Sequence, residues 1–154
     1  MKDKNKFIAV LKDEMAAMDS AASVLNDSYQ RCKKLVIKSE YSVDESEKFE
    51  ALTSRFARLS DILLQKVLRS LFIVELEEEG SVRDRINKAE KKGLIDDARK
   101  FISLRELRNE IAHDYRLKDI IDLYEKVLIK VPELLDVVQK LHQYVIKNNL
   151  ILLE

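Results

Sequence analysis

The chain has 154 residues, and its 28 lysines and arginines balance its 28 aspartates and glutamates. This length suits one domain with one hydrophobic core. The charge balance argues against a protein held to nucleic acid or membrane by its overall charge alone. Only two Gly and one Pro are present, which disfavours tight β-turns, and the single Cys excludes an internal disulfide. We therefore expect one all-α domain over residues 1–154.

Charged residues interrupt the most apolar segments every few positions, so that no run of about eighteen apolar residues occurs. No N-terminal stretch combines the basic, apolar and small-residue regions of a signal peptide. The sequence therefore predicts a cytoplasmic protein that does not contact a membrane.

Apolar residues repeat in steps of three and four along two long segments of the N-terminal half. The first seam runs from Leu11 to Val36 and the second from Phe49 to Val67, with a break over residues 38–44. This period is typical of helices packed lengthwise on one another. The sequence predicts two long N-terminal helices. The second is apolar on more than one side after Ile62 and is expected to lie centrally or at an interface.

Capping signals mark shorter helices after the second long one. Ser81 and Asp84 have the spacing of a capping box for a short helix that closes before Gly93, a residue suited to the left-handed conformation. Asp96 or Asp97 is then expected to cap a fourth helix, which carries the candidate site described below.

The C-terminal third predicts one or two further helices. Asp119 is expected to cap the first, and Pro132 suits the first turn of the second, although both can also belong to one kinked helix. The apolar tail over residues 150–153 is expected to pack on the body or on a second copy. The segments together predict an antiparallel bundle of four to six helices, with its core over about residues 5–148.

A cluster of polar residues follows the apolar stripe of the fourth helix, a feature that packing alone does not require. The cluster comprises Arg108, Asn109, His113, Asp114 and Tyr115. A purely structural reading treats each residue separately: His113 complements the helix dipole, Arg108 forms a surface ion pair and Tyr115 anchors the chain. Arg108, five residues before His113, diverges from it by about 140° on a straight helix. The two converge if the helix unwinds near His113 or, as we favour, if two copies pair these helix ends.

Other positions carry weaker signals of chemistry. Arg55, Arg58 and Asp61 on the second helix are candidates to line the same cleft, or they are ordinary helix-surface charges. Gly-rich phosphate loops, HExxH, paired Cys and GxSxG patterns are absent from the sequence. Cys32 falls on an apolar seam and is expected in the core. The sequence predicts neither a cofactor nor a metal site.

The stretch Arg108-Asn109-Glu110-Ile111-Ala112-His113-Asp114-Tyr115 resembles the R-x4-H-x-Y signature of HEPN proteins, particularly HepT-type toxins. The likeness includes the Asn directly after the Arg. The expected helices also resemble a HEPN bundle over roughly residues 5 to 148. The resemblance implies a homodimer whose two motif copies face each other across a cleft. It further implies a metal-independent ribonuclease in which the ribose 2′-hydroxyl attacks the adjacent phosphate of RNA.

The resemblance also assigns a role to each motif residue. His113 would move a proton at neutral pH, and Arg108 would hold the phosphate and stabilise the charge of the transition state. Asn109 would orient His113 or a phosphate oxygen, with Asp114 in support. Tyr115 would contact the substrate or receive AMP from a partner nucleotidyltransferase that acts as the antitoxin.

Two alternatives stay open from the sequence. Some HEPN relatives were regarded as substrate-binding subunits of minimal nucleotidyltransferases, so the chain can be a non-catalytic nucleotide-binding partner. The heptad seam and the apolar tail are also compatible with a helical dimerisation protein.

Overall fold

The computed structural model describes residues 2–35, 40–77, 80–113 and 117–151, and within these ranges every regular element is helical. The helices in chain order are α1 (Lys2–Cys32), α2 (Val43–Asp61), a π-helical turn (Ile62–Val67), α3 (Leu68–Val74), α4 (Val82–Lys91), α5 (Ala98–Ile111) and α6 (Leu117–Lys147). The segments α2, the π turn and α3 follow one another without a break and form one rod. The all-α fold class predicted from the sequence is confirmed.

The predicted seam of α1 lies in the core as far as Cys32, whereas Val36 lies outside the described residues. Its fully or almost fully buried side chains are Leu11, Met15, Met18, Leu25 and Cys32. Helix α1 packs along α2 and also contacts the π turn, α3 and α6. Burial of this apolar stripe supplies most of the stabilisation of such a long helix, because helix propensity alone is marginal in water.

The rod lies at the centre of the bundle, as its two-sided apolar pattern predicts, and contacts α1, α4, α5 and α6. Its buried stripe proceeds in steps of four through Leu59, Leu63, Val67 and Leu71, all with no exposed surface. In an α-helix each such step drifts by 40°, since four residues exceed one turn of 3.6. A π turn, with hydrogen bonds from i to i+5, contains more residues per turn and keeps the stripe facing the core. This turn was not predicted from the sequence.

The predicted caps are found for the two shorter helices. Ser81 and Asp84 form the reciprocal capping box at the start of α4, and Gly93 has a φ of +78° beyond its end. At α5 the cap is Asp97, whose Oδ1 accepts from the Arg99 N–H at 2.9 Å. Asp96 instead forms an ion pair with Lys140 at 2.8 Å.

Of the two C-terminal alternatives, the structure has one helix. Helix α6 begins at Leu117, so Asp119 lies inside its first turn and is not its cap. Pro132 lies within the helix, where Val131 and Leu134 on either side are buried. Their burial outweighs the backbone hydrogen bond that the proline removes.

The beginning of the apolar tail packs on the body of the same chain. Leu150 and Ile151 are partly buried against the core, whereas Leu152 and Leu153 lie outside the described residues. No helix in the described ranges is sufficiently long and apolar to span a membrane.

Candidate functional site

Helix α5 holds Arg108 against the central rod. Phe101, Leu104 and Leu107 of α5 are buried, and α5 packs on α2, α4 and α6. Arg108 is the next residue after this buried stripe, and its side chain contacts Asp61, the last residue of α2. The Arg108 Nε lies 2.6 Å from Asp61 Oδ1, and Nη2 lies 2.9 Å from Oδ2. This is a two-point, charge-assisted pair that fixes the plane of the guanidinium.

The pair leaves part of the guanidinium available. Hydrogen bonding to Asp61 raises the pKa of Arg108 above its already high ordinary value, so the group stays charged. Of its five N–H donors, Asp61 occupies one on Nε and one on Nη2. The other three, on Nη1 and Nη2, have no acceptor among the residues that the structure describes. They form an edge suited to a second two-point acceptor such as a phosphate.

Arg108 and Asp61 line an open cleft of about 780 Å³ between α1, the rod and the end of α5. The ionisable residues along it are Arg58, Lys66 and Arg108, together with Asp13, Glu14 and Asp61. The three bases and three acids balance in number, but they are not evenly placed. Arg58 and Lys66 lie on the rod, whereas Asp13 and Glu14 lie on α1. The cleft therefore has a basic wall and an acidic wall.

The two walls also differ in their hydrogen bonding. Glu14 on α1 accepts a hydrogen bond from the Ser70 hydroxyl. Arg58 and Lys66 have no hydrogen-bond or ion-pair partner within residues 2–35, 40–77, 80–113 and 117–151. The basic wall thus presents two cations without a direct partner in the described part of the chain, opposite the carboxylates of Asp13 and Glu14.

His113 lies at the edge of this cleft. Ile111 and Ala112 line it, and His113 is the next residue, so its Cα is about 3.8 Å from that of Ala112. Helix α5 ends at Ile111, and the His113 N–H donates to the Glu110 carbonyl at 3.1 Å. The end of the helix thus does not turn the His113 side chain into the cleft that Arg108 lines. The His113 side chain is exposed and is not among the residues that line the cleft.

The remaining predicted site residues are placed as follows. The Asn109 side chain, also on α5, is exposed. Asp114 and Tyr115 lie outside the described residues. Arg58 and Asp61 share the cleft with Arg108, but Arg55 does not line it. The Arg55 Nη1 donates to Val24 O at 3.1 Å and to Ser28 Oγ at 2.7 Å, and so ties α2 to α1.

Three ionisable cleft residues were missed from the sequence: Asp13, Glu14 and Lys66. Lys66 lies eight residues after Arg58, and Ile62 lies halfway between them. Residues spaced by four lie on one face of a helix that contains a π turn, so Arg58, Ile62 and Lys66 all line the cleft. The four-residue spacing of the buried stripe in the same rod was the sequence signal that could have indicated Lys66. Among the described residues, no group of three or more His, Cys, Asp and Glu side chains is arranged to hold a metal ion.

Cys32, expected in the core, and His142, the second histidine of the chain, both lie away from the cleft. Cys32 is buried, burial raises the pKa of its thiol, and its Sγ lies 3.4 Å from Lys48 O. His142 Nε2 lies 2.6 Å from Asp19 Oδ1 and links α6 to α1.

Comparisons with known proteins found no relative of this chain. No protein-family model, curated protein or solved structure matches the chain.

Proposed function

We propose that this protein is a metal-independent endoribonuclease of the HEPN type, acting as the toxin of a toxin-antitoxin pair. The observation that carries the proposal is the Arg108–Asp61 pair in a cleft that ends beside His113. A phosphodiester needs an oriented, permanently charged two-point donor, and Arg108 has such an edge to offer. A cleaved ribose phosphate also needs a group that moves protons near neutral pH, and His113 is the nearest imidazole in sequence.

The proposed reaction requires two proton transfers. The ribose 2′-oxygen bonds to the adjacent phosphorus, the bond from phosphorus to the 5′-oxygen breaks, and a cyclic phosphate and a 5′-hydroxyl result. One group removes the proton of the 2′-hydroxyl and another protonates the leaving oxygen. Arg108 stabilises the charge that accumulates on the phosphoryl oxygens. Each chain brings one His113, so a homodimer with facing cleft mouths supplies both imidazoles.

The proposed partners follow from the resemblance in the motif. Asn109, exposed one residue after Arg108, orients His113 or a phosphate oxygen. Tyr115 contacts RNA, or its hydroxyl receives AMP from a cognate minimal nucleotidyltransferase that silences the toxin. AMP on Tyr115 would add a negative charge two residues from His113 and oppose the binding of RNA phosphate.

The test is cleavage of a labelled single-stranded RNA by the purified protein in a chelator, with detection of the cyclic phosphate end. We expect His113→Ala to lower the rate by about 10²- to 10⁴-fold, the usual contribution of a general acid or base. His142→Gln is the matched control, because His142 is the other histidine of the chain and contacts Asp19. Absence of cleavage by the wild type, or equal rates for His113→Ala and the wild type, would refute the proposal.

A second candidate is a non-catalytic nucleotide-binding subunit of a nucleotidyltransferase. It is favoured by one observation: Arg108 lines the cleft, whereas the exposed His113 side chain does not. In that case Arg108→Ala abolishes nucleotide binding measured by calorimetry, and the wild type cuts no RNA. Cleavage of RNA by the wild type would exclude this candidate.

A further inference from the structure

The basic wall of the cleft carries two charges beyond the proposed catalytic pair. Arg108 is neutralised by Asp61, so its pair adds no net charge to the cleft. Arg58 and Lys66 line the same cleft and have no partner among the described residues. Two cations without an ion-pair partner attract phosphate groups to their own wall, and they contribute little to the stability of the fold.

The π turn places these two cations on the same side of the rod. Arg58 and Lys66 are eight residues apart, and in a regular α-helix they would point about 80° apart. The π turn over Ile62–Val67 has more residues per turn and reduces this divergence, so both side chains reach one cleft. π turns are rare and are often found at functional sites.

The cleft continues past Lys66 into a groove of about 500 Å³ between α1 and α3. Lys66 lines both spaces, as do Glu14 and Gln65. In the groove Phe7 is 41% exposed and is accessible to a ligand. A basic stripe that leads to an exposed aromatic ring is the combination that binds single-stranded nucleic acid, through phosphate contacts and base stacking.

We propose that Arg58 and Lys66 bind backbone phosphates of a single-stranded RNA that runs from Arg108 along the π turn, and that Phe7 stacks on a base in the groove. Asp13 and Glu14 on α1 repel the phosphates, so the backbone of the strand follows the rod. The inference rests on the proposed function only in placing one phosphate of the strand at Arg108.

The experiment measures binding without cleavage. The probe is a fluorescent single-stranded oligonucleotide with 2′-O-methyl riboses, which has no hydroxyl to attack phosphorus, and its affinity is titrated by anisotropy over a range of salt concentrations. For single strands each phosphate contact contributes about 0.7 to the slope of log affinity against log salt. The Arg58→Ala/Lys66→Ala variant is expected to lower the slope by about 1.4.

The matched control is Arg83→Ala/Lys91→Ala, an Arg and a Lys also eight residues apart but on the regular helix α4. Both are exposed, and neither lines the cleft or the groove. This control is expected to keep the wild-type slope. Phe7→Ala is expected to weaken binding at least about fivefold with an unchanged slope, because stacking releases no counterions.

The outcomes separate this inference from the proposed function. If the wild type cuts RNA but the Arg58→Ala/Lys66→Ala variant keeps its slope, the phosphate track is overturned and the ribonuclease stands. If the slope falls as expected but no RNA is cut, the track stands and the ribonuclease fails. A slope that falls equally in the α4 control also overturns the track. Single Gln variants of Arg58 and Lys66, each expected to lower the slope by about 0.7, replace the double variant if it fails to fold.

Discussion

Two clusters of charged residues lie along the same helical rod, and they differ in whether the charged side chains have partners. At the end of α3, the Glu75 network comprises Glu75, Glu77, Lys92 and Tyr144. Lys92 Nζ lies 3.0 Å from Glu77 Oε1, and the Tyr144 hydroxyl donates to Glu75 Oε2 at 2.6 Å. Lys92 also lies 3.4 Å from Glu75 Oε1, an ion pair without hydrogen-bond geometry. In the cleft, by contrast, Arg58 and Lys66 have no partner in the described part of the chain.

In the Glu75 network the charged side chains bind one another, whereas in the cleft Arg58 and Lys66 remain available to a ligand. The Glu75 network links three elements, because Glu75 follows α3, Lys92 follows α4 and Tyr144 belongs to α6. Each of its charged side chains has a partner within the network, although Glu75 Oε1 is buried without a hydrogen bond. The cleft contains one such pair, Arg108 with Asp61, and further cations that the pair does not use. We therefore expect variants of the network to change stability and variants of the cleft to change activity.

The largest expected effect is that of Arg108→Lys. The variant keeps the positive charge but loses the planar fork that binds Asp61 and phosphate at two points each. We expect the rate of RNA cleavage to fall about 100-fold, as for other losses of transition-state charge stabilisation. Single-turnover cleavage gives the rate, and circular dichroism checks the fold. A rate within threefold of the wild type would contradict the assignment of Arg108.

The next effect concerns Asp61, which we regard as a positioning residue for Arg108. We expect Asp61→Asn to lower kcat about tenfold with little change in KM, because an amide offers one acceptor oxygen in place of two. Its side chain is 46% exposed, so the free energy of unfolding should change by less than about 1 kcal/mol. Asp61→Glu should restore part of kcat. Equal rates for the Asn variant and the wild type would exclude a positioning role.

Tyr144→Phe tests the other cluster. The variant removes the hydrogen bond to Glu75 and leaves that partly buried carboxylate with one partner fewer. We expect a loss of about 1 kcal/mol in the free energy of unfolding, measured with urea, and an unchanged rate of RNA cleavage. A change in the rate of RNA cleavage without a change in stability would contradict a purely structural role for the Glu75 network.

The smallest effect is a pH dependence of the same cluster. Burial and the hydrogen bond to Glu75 raise the pKa of Tyr144 above its ordinary value near 10. A raised pKa gives stability that is fully present below the unfolded pKa and is lost as the pH rises through the folded one. The difference in urea midpoint between the wild type and Tyr144→Phe should therefore be constant from pH 7 to 9 and shrink above about pH 10. A constant difference up to pH 11.5 would contradict this linkage.

Local patterns explain why much of the fold was predictable. The α1 seam, the Ser81 capping box and Gly93 depend on residues within a few positions of one another, and all are found in the structure. Pro132 left the choice between one and two helices open, because burial on both sides of it depends on the whole bundle. The π turn was missed because the interpretation assumed an α-helical period throughout.

The candidate site was predictable only in part. Arg108 and Asp61 were each named from the sequence, but their pairing joins residues 47 positions apart, which sequence spacing does not reveal. Arg55 and Arg58 looked equivalent in the sequence. The packing of α2 on α1 directs Arg55 to Ser28, while Arg58 lines the cleft.

The π turn lets the rod hold one extra residue without a change of register. A hydrogen bond from i to i+5 encloses one residue more than the α-helical bond from i to i+4. Loss of one residue from Ile62–Val67 would therefore allow a regular α-helix in which Lys66 stays within about 20° of the direction of Arg58 and Leu71 within about 20° of that of Leu59. A regular α-helix that kept all of these residues would instead turn Lys66 about 80° from Arg58 and Leu71 about 120° from Leu59. The buried stripe and the basic wall of the cleft thus both depend on this turn.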